Sequence, residues 1–139
     1  MSAFISSFFG KIDNKNRITI PSNFKITLKN IKDEKIYLFR SLKNKCLEIY
    51  LENQIQNIIT SLTEEDFFSK KKDHARTAIL SDLEEINIDK EGRFVLKEEN
   101  KKFSLIKYEI IFIGKGKYFE IWDKSKGIKY KEDSRKKLQ

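Results

Sequence analysis

The sequence predicts a mainly β fold with short helices, built from two copies of one strand-loop-strand unit in a chain of 139 residues. Two repeated blocks and the length of the apolar runs predict it. IDNKNRITI (12–20) aligns with IDKEGRFVL (88–96) at a spacing of 76 residues, which pairs Ile12 with Ile88, Asp13 with Asp89 and Arg17 with Arg93. CLEIY (46–50) aligns with YFEIW (118–122) at a spacing of 72, which pairs Glu48 with Glu120, Ile49 with Ile121 and Tyr50 with Trp122. The apolar runs, such as IIFI at 110–113, are strand length, and two blocks recurring in the same order mark an internal duplication.

Each element follows from local chemistry. Residues 8–12 and 17–20 are short apolar runs joined by a polar loop ending in Asn16, and the second copy has Gly92 at that place. Both residues tolerate the positive φ of a tight connection. Pro21 then suits the first turn of a helix over 21–29, with Phe24, Ile26 and Leu28 on it. IYLFR (36–40) and CLEIY (46–50) form a hairpin around SLKNK, and Leu51, Ile55, Ile58, Ile59 and Leu62 recur at helical spacing over 51–62. Thr63, with the acidic residues after it, favours a linking helix over 63–80. The second copy gives strands near 84–88, 93–96, 107–113 and 118–122, with GKGK (114–117) as the last hairpin turn and a basic helix or tail at the end. After its first hairpin it reads LKEENKKF (96–103), without the Ile-Pro step and with few apolar residues, so it offers less support for a helix there. The expected division is 7–53 for the first repeat, 54–82 for linking helices, 83–126 for the second repeat and 127–139 for a basic helix or tail.

Composition narrows the function. One domain or two small fused ones fit this length. Charged residues make up 36%, and the net charge of +8 favours polyanionic partners. Residues 124–139 carry seven basic and two acidic side chains, so much of that basicity is terminal. One cysteine, Cys46, cannot make an internal disulfide, and no signal-peptide or membrane-length apolar stretch is expected, so a soluble cytoplasmic protein is the natural reading.

The repeated loop carries the most chemistry. Asp and Arg four positions apart around a tight turn let the carboxylate accept backbone N–H bonds or pair with the guanidinium, which fixes the loop and aims the Arg. A planar five-donor group at a loop tip suits phosphates and guanine edges. A brace that merely stiffens two hairpins would look the same. Residues 11–17 carry Lys11, Lys15 and Arg17 against Asp13, whereas 87–93 carry Lys90 and Arg93 against Asp89 and Glu91, so the first loop is expected to be the stronger contact with an anion.

IDNKNRITIP, IDKEGR and FEIWDKS resemble the two half-repeats of the MraZ family of bacterial transcriptional regulators, in register from about Phe8 to Trp122 and through LSDLEEINID (80–89). The resemblance implies two AbrB-like swapped-hairpin units packed into one β-barrel, a ring of many subunits, and binding of double-stranded DNA at repeated sites upstream of the protein's own division and cell-wall gene cluster, at the nucleoid. It places the DNA-contacting Asp-x-x-x-Arg element on Asp13 and Arg17 and on Asp89 and Arg93. Asn16 stands where the family pattern prefers Gly.

Other features read as structural. His74 lies in the charged run KKKDHAR with no second ligand at metal spacing, Cys46 has no histidine near it in sequence, and GKGK lacks the context of a phosphate loop. No catalytic residue, metal, cofactor or small-molecule substrate is expected. Three functions stay open: a specific DNA-binding regulator, an antitoxin-like module that binds a partner protein, and a basic nucleic-acid-associated protein acting through its tail.

Overall fold

The structure, a computed structural model, describes residues 3–29, 35–63 and 68–139. Among these are eight strands and five helices. The first copy runs β1 (Ser7–Lys11), β2 (Arg17–Thr19), α1 (Ser22–Lys29), β3 (Ile36–Arg40), β4 (Leu47–Leu51) and α2 (Glu52–Thr63). After α3 (Lys70–Leu80), the second runs β5 (Glu84–Ile86), β6 (Arg93–Val95), α4 (Glu98–Ser104), β7 (Glu109–Gly114), β8 (Phe119–Asp123) and α5 (Lys124–Lys137).

The two copies interlock strand by strand. A six-stranded antiparallel sheet has the order β1-β7-β8-β4-β3-β5, so the first strand of each copy pairs with the later hairpin of the other. β2 and β6 form a separate two-stranded ribbon. Equivalent residues meet where the copies join, Ile18 opposite Phe94 in the ribbon and Glu48 opposite Glu120 between β4 and β8. The same 76- and 72-residue spacings define both pairs, so the duplication is a local two-fold relation.

Burial explains the arrangement. Ile18, Phe94, Ile20 and Leu96 point into one core with Phe24, Leu47, Phe112, Phe119 and Ile121. The Phe24 ring lies 4.7 Å from Phe119 and 5.4 Å from Phe4, centroid to centroid. On the other face of the sheet α5 covers Cys46, Ile111 and Trp122, with Tyr130 stacked on Trp122 at 4.5 Å. Gly127 permits this contact, since a Cβ there would stand 2.3 Å from Ile111 Cγ2.

Four expectations need correction or completion. The sheet is open, not a closed barrel: β1 and β5 are its edges, and a single bridge between Ile12 and Ile18 links it to the ribbon. β2 and β6 have three residues each and spend their pairing on one another, which leaves no ladder to close the sheet. The helix over 63–80 is two elements. Thr63 ends α2, and Ser69 caps α3 by accepting from the Lys72 N–H; the acidic turn at 64–66 lies outside the described residues. A helix, α4, does follow the second hairpin. It buries Asn100 where the first copy has Phe24, and Arg40 Nε donates to Asn100 Oδ1 at 2.9 Å, so a polar anchor replaces the apolar one. Lys97 before it has φ −67°, the value a proline ring would impose. The basic terminus is a packed helix over 124–137 and not a free tail.

Candidate functional site

The two Asp-x-x-x-Arg loops have the same internal geometry. Asp13 Oδ1 accepts the backbone N–H groups of Lys15 (2.8 Å) and Arg17 (2.9 Å), while its Oδ2 accepts Arg17 Nε at 2.7 Å. Asp89 Oδ1 accepts from the Glu91 and Arg93 N–H groups (3.0 and 2.9 Å), and its Oδ2 takes Arg93 Nε at 2.9 Å. Each carboxylate therefore closes its own turn and pins one edge of a guanidinium, which turns the remaining N–H donors outward. These bonds hold both carboxyls below their ordinary value, with the backbone N–H of Arg17 or Arg93 as the largest cause. Asn16 (φ 58°) and Gly92 (φ 78°) adopt the left-handed conformation at matched positions.

The ribbon brings the two loops together. Arg17 lies opposite Val95 and Thr19 opposite Arg93, so the loops enter from opposite ends of one short strand pair. Ile18 and Phe94 point inward, which leaves Arg17, Thr19, Arg93 and Val95 on the outer face. Backbone bonds from Ile20 N–H to Gly92 O (2.9 Å) and from Leu96 N–H to Asn16 O (2.7 Å) tie each loop to the other copy's strand. Arg93 also feels the charge of Asp13 across the ribbon.

A lysine from the opposite copy clasps each loop. Lys25 of α1 donates through Nζ to Glu91 O (3.3 Å), and Lys101 of α4 donates to Asn16 Oδ1 (3.5 Å). Residue-by-residue reading of the loops missed both. The 76-residue spacing relates Lys25 to Lys101, and extending the repeat alignment into the helices would have found them.

Between the Asp and the Arg the loops differ at all three equivalent positions, Asn14 against Lys90, Lys15 against Glu91 and Asn16 against Gly92, and the middle pair reverses the charge. Glu91 Oε2 binds Arg93 Nη2 at 3.0 Å, so the second guanidinium carries a carboxylate on its outward edge as well as the Asp89 brace. Lys15 is exposed at the first tip, and Lys90 is exposed beside the groove formed with Lys25 and Lys29. Lys11 stands apart from the others, at the end of β1 with its ammonium 5.7 Å from the Tyr108 ring centroid.

Cys46, Glu48 and Glu120 form the one group of three possible metal ligands among the described residues, all buried and with ligand atoms within 4.8 Å of one another. One oxygen of each carboxylate already has a donor: Tyr50 Oη donates to Glu48 Oε1 at 2.8 Å and Trp122 Nε1 to Glu120 Oε1 at 3.0 Å, with the Lys115 ammonium 3.9 Å from that same Glu120 oxygen. Burial pushes the Cys46 thiol well up and raises the Glu120 carboxyl. With these partners the residues fit a buried, hydrogen-bonded polar junction between the copies better than a cation site. His74 is exposed on α3. No helix among the described residues is long and apolar enough to cross a membrane.

Comparison with known proteins identifies the family. The family model described as "MraZ protein, putative antitoxin-like" matches residues 3–77. A protein of Pelagibacter ubique (strain HTCC1062) named "Transcriptional regulator MraZ" is 31% identical over 134 residues, covering 96% of this chain and 86% of that protein. A protein of the same name from Rickettsia rickettsii (strain Sheila Smith) is 28% identical over 130 residues, covering 94% of this chain and 87% of its own. With more than half its length matched by the family model and nearly all of it aligned to these regulators, the chain belongs to the MraZ family.

Proposed function

We propose that this chain is a sequence-specific DNA-binding transcriptional regulator whose β2–β6 ribbon and flanking loops enter the major groove. The carrying observation is the pairing of β2 with β6, which sets Arg17 and Arg93 on one exposed face with each guanidinium braced by an Asp. Strand geometry puts their Cα atoms about 8 Å apart along the ribbon diagonal. At about 3.4 Å per base pair, that spans two to three steps of one groove, and a groove about 12 Å wide admits a two-stranded ribbon. Preorganised arginines suit bidentate contact with guanine O6 and N7, while Lys15, Lys90, Lys25 and Lys101 around them suit phosphates.

The wider reading follows from the same layout. Each copy's first strand pairs with the other copy's hairpin, which we take as an intramolecular form of the AbrB-like swapped hairpin, with repeats at 7–53 and 83–126 joined by helices at 54–82 and a basic last segment at 127–139 that continues α5 from Lys124. One chain offers a single ribbon with few contacts, so tight and selective binding calls for several linked copies, as in a ring-like homo-oligomer on repeated sites. The targets are sites upstream of the protein's own division and cell-wall gene cluster, at the nucleoid. The packing of α5 counts against the reading in which a loose basic tail does the binding.

Gel shift with the DNA upstream of the protein's own gene tests this. A discrete shift that resists unlabelled random-sequence competitor supports the proposal. A smear erased by moderate salt would mean non-specific charge binding, and no shift at all would refute DNA as the partner.

A further inference from the structure

The outer face of the ribbon holds four side chains, and only two are arginines. Thr19 and Val95 occupy equivalent positions of the two copies at the 76-residue spacing, each directly across the ribbon from the other copy's arginine. Both point away from the core, and Val95 is 61% exposed. The face is thus symmetric in its arginines and asymmetric in the residues beside them: a β-branched hydroxyl on one side, an isosteric side chain with a second methyl on the other. A single exposed Val is ordinary on a protein surface. This one sits at the centre of the face, with guanidinium groups as its neighbours.

We infer that Thr19 and Val95 are specificity-determining residues, and that they make the chain read two unlike half-sites of duplex DNA. The inference rests on the ribbon entering the major groove. There each arginine marks a guanine, and the residue beside it meets the neighbouring base pair. Val95 has no hydrogen-bonding atom in its side chain, so the base feature it can favour is the thymine C5-methyl group. Thr19 adds a hydroxyl that can both donate and accept, which accommodates more than one base edge. The preferred duplex is therefore an imperfect inverted repeat, with a strict thymine next to the guanine read by Arg17, which faces Val95, and a looser position next to the guanine read by Arg93, which faces Thr19.

Selection from a randomised duplex library, run with the wild-type chain, Val95→Thr and Thr19→Val, tests this. Either substitution makes the face symmetric, and both positions are exposed, so the fold stays intact by circular dichroism. The expected result is an imperfect repeat for the wild type. Both half-sites become loose for Val95→Thr, and both demand thymine for Thr19→Val. A second readout uses the selected duplex with deoxyuridine in place of that thymine. Loss of one methyl contact should weaken wild-type binding about 4-fold, a factor set by the transfer free energy of one buried carbon, and should leave Val95→Ser unaffected. If the wild type selects a defined sequence and both variants select the same one, this inference is overturned while DNA reading by the arginines stands. If the wild type enriches no sequence, the proposed function falls and this inference with it.

Discussion

Glu91→Gln should strengthen DNA binding and steepen its salt dependence. In the second loop the Glu91 carboxylate sits 3.0 Å from Arg93 Nη2, and the equivalent residue in the first loop is Lys15, so the second guanidinium must release a carboxylate before it meets a phosphate or base. Glu91 is exposed, so its replacement perturbs the loop charge more than the fold. Each phosphate contact contributes about 0.9 to the slope of log affinity against log salt. One contact regained at Arg93 should therefore enlarge the affinity change between about 50 and 200 mM salt by a factor of about 3.5. Lys15→Glu should act in the opposite direction and more strongly than Lys90→Glu, because Lys15 flanks the one arginine whose outer edge carries no carboxylate in the geometry described above. Fluorescence anisotropy on one upstream fragment over a salt series measures all three variants. An unchanged slope for Glu91→Gln, or a loss at Lys90 equal to that at Lys15, would refute the inequality of the loops.

Further outcomes follow from packing and titration. Gly127→Ala should lower stability by about 1–3 kcal/mol: the helix-propensity gain of about 1 kcal/mol is outweighed by a Cβ 2.3 Å from Ile111 Cγ2 in a filled contact, and thermal melting reads the balance. Truncation after Asp123 should reduce the melting temperature as well as flatten the salt dependence, since it strips Ile128 and Tyr130 from Cys46, Ile111 and Trp122. Ile18→Ala should cost about 2–5 kcal/mol in denaturant unfolding and weaken DNA binding through both loops, because a fully buried side chain opposite Phe94 sets the ribbon. In acid, the folded-state carboxyls of Asp13 and Asp89 titrate below their ordinary value of 3.8, so their contribution is complete above that value and is lost as pH falls through the lower folded value. The Arg17 and Arg93 Nε–H resonances should keep their bonded shifts down to about pH 4; their loss near neutrality would contradict the brace.

The sequence carried the two-fold relation because equivalent residues kept both type and spacing: Ile18 and Phe94, and Glu48 and Glu120, meet across the join as the offsets of 76 and 72 imply. The internal bonding of the loops was legible for the same reason, since an Asp four residues before an Arg can make only a few local bonds, and it makes all of them. What stayed illegible depends on partners far along the chain. The helix α4 is held by Asn100, which takes Arg40 from 60 residues away, and no apolar periodicity reports such an anchor. The packing of α5 rests on a glycine within a basic run, where charge masks the one face that docks. Sheet closure depends on β2 and β6 each being only three residues long, which a one-residue change in strand ends would alter.

The most direct test is protection of guanine N7 from dimethyl sulfate on the upstream fragment by the wild type, Arg17→Ala and Arg93→Ala, with circular dichroism confirming the fold. Two guanines within two to three base pairs should be shielded in the major groove by the wild type, and each variant should expose one of them, with the larger loss of affinity for Arg17→Ala. Unaltered protection in both variants would show that the ribbon arginines do not read the DNA.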